Sequence, residues 1–194
     1  SNIKIEDLYK DGLQREQFLP FIKTMNEFCN EIELLILKDY RKLKSNMLDR
    51  FFFPLNEDTN FKINHLFRTL TKNKKSTSQK LEIKGRIFEI KNYFEGVARF
   101  DFGDLCDQNI GSEDYIKISE VCDFMIIENI PKFHDGNDNL QLRFITLIDI
   151  LYEKKIPLIV SSSSNIEKIG SSRALINSFK RTVSRLHELT SMKK

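Results

Sequence analysis

From Gly103 onward the chain alternates helical and extended patterns at a spacing that few folds accept. EDYIKISEVC reads as a helix with Ser112 as its N-cap. DFMIIENI follows as a short apolar run. Asn137 or Asp138 then caps a helix to about Lys155, in which Leu140, Phe144, Leu147, Ile148 and Leu151 keep helical spacing. IPLIVS at 156–161 is a second apolar run, and SSSSN is the loop after it. Continuous apolar runs of this length are strands covered on both faces, the habit of parallel sheets. Alternation of such strands with helices predicts an α/β fold with a mixed sheet flanked by helices. The last helix begins near Ser172 and turns Leu175, Phe179, Val183 and Leu186 to one side.

Upstream, residues 5–13 read as a short helix closing near Gly12. A second helix starts at Pro20, because a proline in the first turn lacks only an N–H that would be unpaired there. Its stripe is Ile22, Met25 and Cys29, with Phe21 and Phe28 beside it, and EIELLIL at 31–37 reads as a buried strand. RFFFPL at 50–55 precedes a helix from about Asn60 to Leu70, and KNKKSTSQK at 72–80 reads as a surface loop. Ile87, Phe88, Ile90, Val97, Phe100 and Phe102 lie in two extended runs, a β-hairpin or meander. Residues 42–102 thus read as an insertion with a β-hairpin inside one domain spanning 1–194, without internal repeat.

Several chemistries are excluded. A net charge of +3 gives no electrostatic case for a nucleic-acid binder, and KNKK at 72–75 is a single basic loop. Cys29, Cys106 and Cys122 form no CxxC, and no apolar run is long enough to span a bilayer. The opening SNIKIEDLYKDG has neither signal-peptide nor transit-peptide character. The glycines at 12, 85, 96, 103, 111, 136 and 170 cannot make G-x-x-x-x-G-K-[ST] or G-x-G-x-x-G, so no phosphate-wrapping loop is encoded here. His65, His134 and His187 lack metal-ligand spacing and read as surface or boundary residues, and no metal site is expected. SSSS at 161–164 lacks the G-x-S-x-G elbow of a nucleophile.

Arginines carry more information. Arg173, Arg181 and Arg185 fall at i, i+8 and i+12, which places them on one face of the terminal helix. Arg181 and Arg185 repel at i, i+4 unless an anion repays them, and Glu188 three residues on from Arg185 is one candidate. Arg15 precedes Pro20 and reads as projecting from a loop. Arg143 sits near the start of its helix, the unfavourable end for a cation.

These arginines lie in longer blocks. SNIKIEDLYKDGLQREQFLPFI resembles the segment after Walker B in the ZapE / AFG-like family of P-loop ATPases. The likeness continues through DYR at 39–41, FPL at 53–55, GR at 85–86, ARFDFGDLC at 98–106, DYIKIS at 114–119 and IP at 130–131. RFITLIDILYE at 143–153 and FKRTVSRLHEL at 179–189 complete it, in family order. The resemblance implies the C-terminal part of an AAA+-like, P-loop NTPase-like fold, with Walker A and Walker B unmatched.

It further implies that Asn2 is a sensor-1-like residue, that Arg15 of GLQR is an arginine finger acting in trans, and that Arg143 is sensor-2-like. Arg181 and Arg185 are either nucleotide-facing or interface arginines. ATP and Mg2+ are implied for the full-length family, with neither held tightly by this chain alone. The implied partners are a P-loop half or neighbouring ATPase subunit, a homo-oligomer in the full-length form and, in bacteria, the Z-ring protein FtsZ. Peripheral membrane association is compatible with this set. The implied setting is the cytoplasm or, alternatively, the matrix side of mitochondria. A different class of function also fits: a non-catalytic protein-binding fragment or pseudo-ATPase docking on a partner subunit.

Overall fold

Side chains on three parallel strands, β4 (Val97–Asp101), β5 (Phe124–Ile130) and β6 (Leu158–Ser162), alternate between two apolar layers. Val97, Ile126 and Ile159 face one way, against Ile63 and Phe67. Ala98, Phe100, Met125, Ile127, Leu158 and Val160 face the other way, into the larger core. A strand has a side-chain period of two, so both layers can be apolar only if both faces are covered.

The computed structural model describes residues 15–28 and 50–191. The chain divides into two units, Ser1–Asp39 and Tyr40–Lys194. In the first, α1 (Arg15–Phe28) is described. This helix starts five residues before the expected Pro20, which lies inside it. Arg15 is therefore the first helical residue, half-buried, rather than a loop residue. Arg15, Glu16 and Gln17 are good helix formers, and the missing N–H of Pro20 spares only the carbonyl of exposed Glu16 a partner. Ile22 is buried, whereas Phe21 and Phe28 are exposed. The expected helix at 5–13, the strand at 31–37, Asn2 and Cys29 lie outside the described residues.

The second unit carries a six-stranded sheet in the order β1-β6-β5-β4-β3-β2. β1 (Phe51–Phe52) pairs parallel to β6, and β4, β5 and β6 are mutually parallel. β2 (Thr77–Ile83) and β3 (Arg86–Phe94) are antiparallel and join β4 as a meander. The polar segment expected as a loop to residue 80 thus becomes strand at Thr77. An edge strand with one neighbour tolerates exposed Thr77, Ser78 and Lys80. α2 (Glu57–Leu70) covers one face of the sheet. α3 (Phe102–Cys106), α4 (Ser112–Glu120), α5 (Asp138–Glu153) and α6 (Ile176–Thr190) cover the other. The chain leaves β1 at one edge, re-enters at β2 on the opposite edge, and steps back through β3, β4 and β5 to β6 beside β1. This is a doubly wound plan, in which ligands bind outside the carboxyl ends of the strands.

Local details differ from the sequence reading for identifiable reasons. Ser112 is the first helical residue of α4 and Gly111 the cap, because the Gly111 N–H donates to Asp114 Oδ2 at 2.8 Å. Ser161 and Ser162 belong to β6 and are fully buried, not part of a loop. The Ser162 hydroxyl donates to the Ile130 carbonyl at 3.1 Å, and that of Ser161 accepts from the Asn129 N–H at 3.0 Å. Residues 173–175 form a turn, so α6 starts at Ile176 rather than near Ser172. His187, expected near the surface, is buried on α6. No described helix is long and apolar enough to cross a membrane.

Candidate functional site

Three loops leave the carboxyl ends of β4, β5 and β6, and hydrogen bonds lace them together. Asp101 ends β4. Its Oδ1 accepts from the Gly103 N–H at 2.9 Å and caps α3, while its Oδ2 accepts from Asn129 Nδ2 at 2.6 Å. Asn129 sits at an irregularity in the β5–β6 pairing, with φ of 63°. A left-handed non-glycine residue at the end of a central parallel strand is uncommon, and asparagine tolerates it best. Beside it, Glu128 receives Nε and Nη2 of Arg99, the latter at 2.8 Å, and Arg99 Nη1 donates to Asn64 Oδ1 at 2.8 Å. That fork–fork pair ties β4, β5 and α2.

The loops after β5 and β6 meet at Phe133 and Gly170, which form a parallel bridge, with the Phe133 N–H donating to the Ile169 carbonyl at 2.8 Å. Buried Gln141 clamps the same place: its Nε2 donates to Ser171 Oγ at 2.7 Å and its Oε1 accepts from the Ser172 N–H at 2.9 Å. Asn165 folds its side chain onto the N–H groups of Glu167 and Lys168, at 2.8 and 3.1 Å, and starts a 3-10 turn. Arg173 follows. Its backbone N–H and its Nε each donate to Asp135 at 2.7 Å. Those backbone and side-chain hydrogen bonds, in that order, hold the Asp135 carboxyl below its ordinary range.

Gly170 is required at this junction. Its φ is +79°, and an added Cβ would lie 2.4 Å from the Phe133 carbonyl oxygen, a backbone atom no rotamer can move. Gly85 has a similar φ of +76° and open space around it. Gly85→Ala is expected to cost about 1–2 kcal/mol from conformation alone. Gly170→Ala adds the clash and is expected to cost about 2 kcal/mol more, in the range of strained backbone sites. Urea denaturation of the two variants side by side measures the difference, and equal losses would remove the steric claim.

The arginines singled out by spacing do not converge. Arg173 lies ahead of α6, so it does not share the helical face of Arg181 and Arg185. Asp149 on α5 takes both of those: Arg181 Nη2 donates to Oδ2 at 2.8 Å, and Arg185 Nη1 pairs with Oδ1. Arg185 also lies over the Tyr152 ring, 4.8 Å from its centroid, and the Tyr152 hydroxyl, not Arg185, donates to Glu188, at 2.7 Å. The like-charge repulsion is thus repaid by a carboxylate from the neighbouring helix. Arg143 Nη1 donates to the Cys106 carbonyl at 3.0 Å. Arg143 and Asp149 are about 9 Å apart along the α5 axis and about 120° apart around it, from helix geometry. Burial pushes the Cys106 thiol up to about 12, so it is no nucleophile at neutral pH. Spacing alone gives no signal for the Asp101–Asn129 and Asp135–Arg173 pairs, whose members are 28 and 38 residues apart.

No phosphate cradle is present at the start of α2, which follows β1 where the winding reverses. Asn56 Oδ1 already accepts from the Thr59 N–H at 2.9 Å, and Glu57 and Asp58 occupy the first turn. Carboxylates there repel a phosphate that a bare helix N-terminus would attract. ATP therefore does not fit this position. Among the described residues, no group of three or more His, Cys, Asp or Glu side chains could hold a metal ion.

Across residues 1–194 the chain matches the family model described as AFG1-like ATPase. It is 33% identical over 171 residues to an uncharacterized protein of Schizosaccharomyces pombe, covering 87% of this chain and 38% of that protein. It is 31% identical over 172 residues to lactation elevated protein 1 homolog B of Danio rerio, covering 87% and 34%. With the cell division protein ZapE of Escherichia coli it shares 29% identity over 191 residues, covering 98% and 51%. The chain thus spans between about a third and about a half of the curated relatives it matches. No solved structure matches it.

Proposed function

This chain belongs to the AFG1-like ATPase family, and from that membership we propose that it supplies the arginine-bearing side of an ATP pocket whose phosphate-gripping loop lies outside these 194 residues. Arg15, at the start of α1, is the finger that reaches a neighbouring subunit's nucleotide. Asn2 is the sensor that orients the attacking water. The observation that carries this reading is the family match along the whole chain, the GLQR block included, in a sequence that encodes no G-x-x-x-x-G-K-[ST].

The closed N-terminus of α2 supports it, because the second unit offers no phosphate cradle of its own there. Arg143, Arg181 and Arg185 have partners within the second unit, so the pocket-facing roles fall to Arg15 and Asn2. A finger acting in trans requires a neighbouring subunit, and a homo-oligomer is part of the proposal. The Escherichia coli relative is a cell division protein by name. Coupling to that process, with FtsZ as partner, is the bacterial form of the same reading.

Isothermal titration with a non-hydrolysable ATP analogue tests it. The isolated chain is expected to bind too weakly to measure, and binding is expected to appear once the natural polypeptide or subunit carrying the phosphate loop is present. Micromolar affinity by the isolated chain would overturn the reading, since backbone N–H groups and a loop lysine supply most of the grip on a triphosphate.

A further inference from the structure

Against the expectation of no internal repeat, two stretches of the sequence share a pattern. Ser164-Asn165-Ile166 repeats the Ser1-Asn2-Ile3 that opens the chain. Gly170 stands three residues before Arg173, and Gly12 three residues before Arg15. Phe179 follows Arg173 by six residues, and Phe21 follows Arg15 by six. The two copies differ by five residues in the segment between Ile and Gly, which hid the register. In the second copy the Ser-Asn pair follows β6 after one intervening residue, Ser163, and Asn165 caps the turn after the strand end.

Arg173 in this copy is held in an unusual way for a surface arginine. Its side chain is 92% exposed, yet Nε and the backbone N–H are both fixed by Asp135, which is anchored in the loop after β5. Among the described residues, the two terminal nitrogens make no hydrogen bond. They present a preset fork to solvent, which matches two oxygens of an oxyanion. The phosphate position next to β1 in the same unit is closed by Asn56, Glu57 and Asp58, so that position does not supply the oxyanion.

We propose that Arg173 is a second guanidinium acting in trans, contacting the terminal phosphate of a nucleotide bound by an adjoining subunit, with Asp135 as its positioning residue. This rests on the ATPase reading above and extends it to the second copy of the Ser-Asn-Ile…Gly-x-x-Arg motif. The chemistry needed is charge stabilisation on the transferring phosphoryl group, which a fixed guanidinium provides without reorganisation.

The test uses the natural full-length ATPase that carries this chain. Arg173→Ala is expected to lower kcat at least about tenfold, a smaller loss than the roughly 10³–10⁵-fold of an arginine finger, with KM for ATP within about twofold. Arg173→Lys is expected to be nearly as poor, because an ammonium cannot keep the Asp135 bond and still present two donors. Asp135→Asn is expected to fall between. Thermal melting of Arg173→Ala is expected to match the wild type, so a lower melting temperature accompanied by the kinetic loss would overturn the assignment in favour of a structural role. Mixing Arg173→Ala subunits with subunits disabled in the phosphate loop is expected to restore turnover, and failure to restore it overturns the trans contact. A kcat for Arg173→Ala within twofold of wild type sinks Arg173 and leaves Arg15 untouched. Dissociation of the oligomer by the same substitution assigns Arg173 to a partner carboxylate and also overturns the proposal. A wild-type protein that hydrolyses no ATP overturns the functional reading itself.

Discussion

Arg15→Ala is expected to leave nucleotide affinity almost unchanged and to lower turnover by about 10³–10⁵-fold, the range of arginine fingers in phosphoryl transfer. The split follows from where each interaction acts. Ground-state affinity for a triphosphate comes from the phosphate loop and its lysine, which this sequence does not encode. A finger meets charge that develops on the equatorial oxygens only as the γ-phosphoryl group transfers. Its removal therefore costs transition-state stabilisation of about 4–7 kcal/mol at the stated rate loss. Arg15→Lys is expected to recover little, since a point charge does not reproduce the planar fork. Steady-state measurement of ATP hydrolysis by the natural full-length protein, with a parallel affinity measurement, checks this. Equal losses in affinity and turnover would remove Arg15 from the finger role, and so would no loss in either.

Much of the α/β body was legible in its sequence because periodicity survives wherever one residue type must face a core. DFMIIENI and IPLIVS became β5 and β6, and Leu140, Phe144, Leu147, Ile148 and Leu151 lie on α5 as spacing predicts. Boundaries set by polar side chains were not legible. Asp114 caps α4 from inside the helix, and Pro20 sits within α1, because each choice depends on partners that local sequence does not name.

The family blocks were readable as strings but not as interactions. GR at 85–86 and DY at 114–115 meet in one ion pair: Arg86 Nη2 lies 2.6 Å from each oxygen of buried Asp114, and its Nη1 donates to the Asn109 carbonyl at 2.6 Å. That pair clamps the β2–β3 turn to the start of α4. The arginine periodicity on the terminal helix pointed to an anion, and Asp149 from α5 turned out to be that anion. Asp135 was invisible, since 38 residues separate it from Arg173 and only the bridged loops bring them together.

Phe144→Ala is expected to cost the body about 3–5 kcal/mol, the upper end for a buried aromatic truncated to alanine. Phe144 is fully buried on α5, with its ring 5.8 Å from Phe102 and 5.5 Å from Phe133, centroid to centroid. Phe133 in turn meets Phe179 of α6 edge-on at 5.3 Å. The four rings together thus join α3, α5, α6 and the loop after β5, so no single element can shift to fill the hole that loss of Phe144 would leave. Domains of this size are stable by about 5–15 kcal/mol, so the loss is a large share of the total. Phe144→Leu keeps most of the volume and is expected to cost less, while Phe61→Ala, on exposed α2 surface, is expected to stay within about 0.5 kcal/mol. Urea midpoints at constant slope measure all three. The same cavity would loosen Phe133, whose backbone pins Gly170 and hence the Arg173 loop, so turnover is expected to fall in Phe144→Ala even where the protein remains folded. A loss below about 1 kcal/mol would show that the four rings do not share one packed layer, since cavities in close-packed interiors relax only in part.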